Sequence, residues 1–156
     1  MMKFIVDCML GKLAKWLKIF GFDVLYFPKI EDSELLALAQ KEARTLLTRD
    51  NALLQKAKKI KSLFIESEKW EEQIRQVLEE FNLWKDADPY SRCIECNSEL
   101  KNLSKSKAKN LVTAYVYEQA KSFAICPQCG RVFWQGTHFK DMKAKIEGIL
   151  KEAKKR

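Results

Sequence analysis

A single histidine occurs in the 156-residue chain, which argues against a Ser-His-Asp triad. There is no glycine-rich phosphate loop and no G-x-S-x-G elbow, so the usual nucleotide-cradling and serine-hydrolase signatures are missing. Asp7-Cys8-Met9 lacks the second aspartate that a D-x-D phosphatase carries. No apolar run approaches the length of a membrane span, because charge interrupts every stretch. The apolar start before Asp7 is too short to serve as a secretory signal. A soluble, cytoplasmic chain with reduced thiols and no membrane partner is the expectation. No internal repeat is present.

What is there supports a folded core: 47% of residues are apolar, with nine Phe and four Trp among them. The net charge of +8 is divided unevenly. Residues 1–84 carry 14 Lys/Arg against 13 Asp/Glu, whereas residues 85–156 carry 15 against 8. A basic half beside a neutral one points to a polyanionic partner, most often nucleic acid; a charge that merely keeps the chain soluble accounts for composition equally well.

Phe4-Ile5-Val6 reads as a short strand ending in Asp7. Leu10, Leu13, Ala14, Leu17 and Phe20 then fall at helical spacing, with Gly21 as a stop. Strands are expected at Val24–Phe27, Thr45–Thr48 and Leu63–Ile65. Between them lie a helix capped by Asp32 or Ser33 and a short helix from Asn51. Ile74, Val77, Leu78 and Phe81 mark a further helix. This alternation predicts a small parallel sheet with flanking helices, an α/β domain over residues 1–84. Lys85-Asp86-Ala87-Asp88-Pro89 is polar and aperiodic, which places a linker at 85–91 and a second domain at 92–156. In that second part, residues 101–110 (KNLSKSKAKN) read as a basic loop. Ala114–Tyr117 and Val132–Trp134 read as strands, and Met142, Ile146, Ile149, Leu150 and Ala153 form the apolar stripe of a terminal helix.

Two C-x-x-C pairs, Cys93/Cys96 and Cys126/Cys129, are 29 residues apart and can turn four thiolates toward one point, the cage a structural zinc prefers. Gly130 and Asn97 follow the two pairs and tolerate the left-handed backbone of such a knuckle. Two disulfides, a redox C-x-x-C and an iron–sulfur cluster are the alternatives. Cys8 reads as a small buried residue.

In a parallel α/β sheet, ligands bind beyond the carboxyl ends of the strands. Asp7, Asp32 and Asp50 all fall on that rim and together could hold Mg²⁺ or Mn²⁺ for phosphodiester cleavage, with Glu34 and Glu66 as weaker candidates. Taken singly, each aspartate could simply cap a helix or end a strand.

The ordered set Asp7–Lys18, Gly21-Phe22-Asp23, Asp32–Ala39 and Leu46–Asp50, followed by the two knuckles and Trp134-Gln135-Gly136-Thr137-His138, resembles the Mut-seven C-terminal RNase domain family over nearly the whole chain. The resemblance implies a shortened PIN-like ribonuclease fold followed by a C-terminal four-cysteine zinc ribbon. Asp7, Asp32 and Asp50 would then sit at the family's acidic metal-binding positions. Lys15 and Lys18 stand where the family often has Arg, and the usual fourth acidic position has no clear counterpart.

On this reading Lys12, Lys15 and Arg49 lie beside the rim and can hold phosphates, or else form a solvated helix face. Lys101, Lys105, Lys107 and Lys109 would grip RNA, most simply single-stranded. His138 can contact RNA or serve as a structural hydrogen-bonder. Tyr115, Tyr117, Phe133 and Trp134 can stack on bases, although a ribbon needs a core and most of them are expected to be buried. The expected function is a metal-dependent ribonuclease; the alternatives are a non-catalytic RNA- or ribosome-binding adaptor and the toxin half of a toxin–antitoxin pair.

Overall fold

A computed structural model describes residues 2–136 and 139–152. The chain divides into two compact units, Met1–Asp88 and Pro89–Arg156.

In the first unit four strands alternate with four helices. These are β1 (Lys3–Val6), α1 (Gly11–Ile19), β2 (Asp23–Tyr26), α2 (Asp32–Lys41), β3 (Thr45–Thr48), α3 (Asn51–Lys56), β4 (Ser62–Phe64) and α4 (Trp70–Glu80). A 3-10 turn at Cys8–Leu10 joins β1 to α1. The strands form one parallel sheet in the order β2-β1-β3-β4, with Val6 level with Tyr26 on one side and with Leu47 on the other.

That order places the helices. The connection from β1 leads to one side of the sheet, and the connection from β2 returns across β1 to the other. Right-handed crossovers therefore send α1 to one face and α2 and α3 to the opposite face. The side chains agree. Ile5 and Leu46 pack with Leu35 and Ala39 of α2, with Leu53 of α3 and with Ala57 just past it. Phe4, one residue earlier in the pleat, meets Phe22 edge-on at 6.2 Å and Phe81 at 5.9 Å. On this second face Trp16 of α1 stacks flat on Trp70 of α4 at 3.9 Å, confirming Trp16 and its neighbouring apolar stripe as core. Because β1 and β3 are neighbours whose outgoing helices cover opposite faces, the crevice past their carboxyl ends is the sheet's switch point.

Helix α1 ends at Gly21 as its sequence requires: φ is +92°, and the N–H groups of Gly21 and Phe22 donate to the carbonyls of Lys18 and Leu17.

The second unit carries an antiparallel sheet in the order β5 (Lys101–Leu103), β6 (Phe123–Ile125), β7 (Val132–Trp134). Helices α5 (Lys105–Ala108) and α6 (Ala114–Gln119) lie between β5 and β6 in sequence, and α7 (Phe139–Lys151) follows β7. One small core cluster gathers Ala108, Ala120 and Phe123, with Leu103, Val112, Val116 and Val132 packed around them, and Ile146 and Ile149 of α7 are also buried.

Two expectations are corrected here. Residues 101–110 are not a loop, because Lys101–Leu103 pairs with β6 and Ala108 is drawn into the core on a helical turn. Ala114–Tyr117 is not a strand. Thr113 Oγ1 accepts from the Val116 N–H at 3.3 Å and so caps a helix, in which Val116 and Ala120, one turn apart, both reach the core.

Candidate active site and metal centre

The four paired cysteines are free thiols whose sulfurs all lie within 4.8 Å of one another. Cys93 Sγ is 3.7 Å from Cys129 Sγ, and Cys96 Sγ is 3.1 Å from Cys126 Sγ. Both separations exceed a disulfide bond, which is about 2.05 Å long. Tetrahedral zinc–sulfur bonds of about 2.3 Å would put neighbouring sulfurs about 3.8 Å apart, which the first pair already matches and the second would open to reach.

Each pair is the same knuckle. The N–H of Asn97 donates to Cys93 O, and the N–H of Gly130 to Cys126 O, both at 2.9 Å. The knuckle turns at φ +66° at Asn97 and +78° at Gly130. The Cys129 N–H reaches Cys126 Sγ at 3.5 Å. Burial pushes the Cys93 thiol up to about 11. The Ser98 backbone N–H brings the Cys96 thiol down to about 6. A divalent cation would supply the positive charge that lets all four sulfurs be thiolates in so small a volume. Arg92 braces the first knuckle, donating to Asn97 O at 2.9 Å and pairing with Glu99 at 3.6 Å. The Ser98 hydroxyl donates to the Gln128 side chain and so ties one knuckle to the other.

At the carboxyl edge of the parallel sheet, Asp7 is buried and its N–H extends the ladder to Leu47 O at 3.0 Å. The Thr48 hydroxyl, with no exposed surface, donates to Asp7 Oδ2 at 2.9 Å and accepts from the Asp50 N–H at 2.9 Å. The Asp7 carboxylate and the Asp50 backbone, just past the ends of neighbouring strands, thus share one hydroxyl. Asp50 Oδ1 accepts from the N–H groups of Ala52 and Leu53, capping α3. Asp32 is the first residue of α2 and caps nothing with its side chain; its Oδ2 lies 3.4 Å from Lys56 Nζ. Among the described residues the four cysteines are the one group of three or more ligating side chains drawn within 4.8 Å. The rim carboxylates are not gathered that tightly. Without a cation among them they would repel, and each has taken its own donor instead.

Cys8 is exposed rather than buried, because the 3-10 turn carries it outward past the end of β1. Partial burial, a hydrogen bond to Asp7, and the charges of Asp7 and Asp32 all raise its pKa. Tyr26 closes the same corner. Its hydroxyl donates to Cys8 O at 2.8 Å, and a Cβ at Gly11 would stand 2.8 Å from that oxygen. Burial and then the neighbouring Cys8 and Asp7 raise the Tyr26 phenol.

Of the basic candidates, Lys12 and Lys15 are exposed on α1 with no carboxylate partner among the described residues. Arg49 is otherwise engaged. Its Nη1 donates to Ile65 O at 2.9 Å and Glu66 O at 2.7 Å, and its Nη2 lies 3.9 Å from Glu68, so it pins the segment after β4 rather than reaching free into the rim. Glu34 and Glu66 are exposed and join no ligand cluster. Lys101, Lys105, Lys107 and Lys109 are exposed on β5, α5 and its end. Of the four aromatics expected to lie mostly in the core, Tyr115 and Trp134 are exposed and Tyr117 and Phe133 half-buried, because small residues and Phe123 fill the little space beneath the sheet. His138 lies outside the described residues. Thr48, Tyr26 and Lys56 were not singled out from the sequence; Thr-x-Asp at a strand end was the one available signal, and it looks like ordinary strand composition.

A parallel sheet with carboxylates at its switch point, carried in one chain with a four-cysteine ribbon, defines a nuclease-like α/β protein with a cysteine cluster that could hold a metal ion. The chain belongs to the Mut7-C RNAse domain family, whose model matches residues 2–146. No curated protein and no solved structure matches it. No helix among the described residues is long and apolar enough to cross a membrane.

Proposed function

We propose that the chain is a metal-dependent ribonuclease that hydrolyses RNA phosphodiester bonds at the rim of Asp7, Asp32 and Asp50, with the basic ribbon gripping the strand. The observation that carries this reading is the buried Thr48 hydroxyl, which joins Asp7 to Asp50 at the sheet's switch point. A hydroxyl so placed orients a carboxylate that the fold alone does not require.

The donor set fits a hard divalent ion. Asp32 uses only Oδ2 in its contact with Lys56, and Asp50 only Oδ1 in its cap. Mg²⁺ is commonly held by one or two carboxylates while keeping several waters, so a loose rim suits it better than a tight cage. When bound, such an ion supplies an activated water and neutralises charge that develops on the phosphate. The chain's own part is positional. Thr48 fixes Asp7, and Lys12 and Lys15, one turn apart on α1, offer positive charge to neighbouring phosphates. The zinc centre has four protein sulfurs and no open position, so its role is structural.

The test is cleavage of defined single-stranded RNAs with Mn²⁺ or Mg²⁺, comparing wild type with Asp7→Asn. Cleavage by the wild type and a loss of about a hundredfold or more in the variant is the expected result. Equal cleavage by both, or none by a folded wild type that still binds RNA, replaces this reading with the adaptor.

A further inference from the structure

A cleft of about 320 Å³ opens in the second unit where β5 and β6 meet, lined by Asn102, Leu103, Lys105, Lys121, Ser122 and Phe123. Two separate segments build it, and their register brings Leu103 level with Phe123 at its base. Its polar lining consists of two ammonium groups, a hydroxyl and a side-chain amide, with no carboxylate. Neither Lys105 nor Lys121 pairs with an acidic side chain among the described residues. Lys105 Nζ instead lies over the Tyr117 ring, 5.1 Å from its centroid, which holds it at the cleft mouth.

The sheet adds an aromatic surface to this anion seat. Phe123 is paired in register with Trp134 on strands about 4.8 Å apart, so the two side chains project from the same face. Phe123 is buried at the cleft base, whereas Trp134 is 43% exposed. A row that starts in a cationic cleft and ends on an open indole face matches a chain of alternating phosphates and bases.

We infer that this cleft seats a phosphate of a single-stranded nucleic acid between Lys105 and Lys121, with Trp134 as the platform on which a neighbouring base stacks. This deepens, and rests on, the reading of the ribbon as the RNA-gripping half. A duplex keeps its bases paired and stacked on one another, which leaves no free face for the indole. A bare anion site has no use for Trp134.

The test is fluorescence anisotropy of a labelled single-stranded oligoribonucleotide on the full-length zinc-loaded protein, with no Mg²⁺ or Mn²⁺ added. Lys105→Ala/Lys121→Ala should weaken binding and flatten the salt dependence by about 0.7 in slope, the value for one lost single-strand phosphate contact. Trp134→Ala should weaken it about tenfold at every salt concentration, and Trp134→Phe should recover most of that loss. Lys140→Ala/Lys145→Ala removes equal charge from α7 and should weaken binding far less. Unchanged affinity and slope in the cleft variant, an equal loss in the α7 variant, or an unlabelled duplex competing as well as a single strand would each overturn the inference. Cleavage is assayed separately: a wild type that binds as described but cuts nothing overturns the nuclease reading and leaves this one standing.

Discussion

Thr48 has no exposed surface, and one oxygen atom of its side chain serves both Asp7 and Asp50. Thr48→Val keeps the shape and removes the hydroxyl, leaving a buried carboxylate oxygen and a backbone N–H without partners. That should cost about 1–3 kcal/mol in urea unfolding. Thr48→Ser keeps the hydroxyl and loses one methyl, and should cost about 1 kcal/mol. If Val proves as stable as Ser, the hydroxyl contributes nothing and the link between the two aspartates is incidental. Residues of this kind explain what the sequence conceals. The cysteines were legible because metal ligation demands a fixed spacing, and the aspartates because strand ends can be located by pattern. Thr48 was not, since a threonine in a buried strand is ordinary, and the carbonyls that hold Arg49 lie 16 and 17 residues further along the chain.

Elements were legible where one period prevailed. Helix α4, with Ile74, Val77 and Leu78 on one face, and strand β3, with Leu46 and Leu47 between two β-branched threonines, left little choice. Helix α6 failed because Val and Tyr suit strands, and only the Thr113 cap and the distant Phe123 decide otherwise. Helix ends offer a test at the same scale. Three helices in the first unit close with a left-handed residue, but only α1 uses glycine; Ala43 takes φ +53° after α2 and Asn82 φ +51° after α4. The Ala43 N–H donates to Gln40 O at 3.3 Å, and the Arg44 N–H to Ala39 O at 2.8 Å, so the turn is held in place despite the alanine. Ala43→Gly should therefore stabilise the protein by about 0.5–1 kcal/mol, the relief of left-handed strain exceeding glycine's extra chain entropy. A loss of stability in thermal unfolding would mean that the alanine methyl contributes packing that outweighs the strain.

Over the whole molecule the two units depend on different sources of stability. The first has a sheet covered by helices on both faces and a broad apolar core. The second relies on Ala108, Ala120, Phe123, the buried Ile146 and Ile149 of α7 and a few partly buried neighbours, a small apolar set for a unit of that size without a staple. A zinc ion held by the four cysteines would supply one, since metal binding to such knuckles is itself folding free energy, about 10–16 kcal/mol in small zinc-finger peptides at neutral pH. Purified protein should contain one zinc per chain by elemental analysis. Cys126→Ser removes one ligand and the acceptor of the Cys129 N–H. In amide-resolved NMR, resonances from residues 90–152 should then collapse toward unfolded positions while those of residues 3–87 keep their dispersion. Chelation of the wild type should reproduce the pattern, and added zinc should reverse it. Iron with visible absorbance in place of zinc, or a metal-free second unit that keeps its dispersion, would show that the four sulfurs play another part.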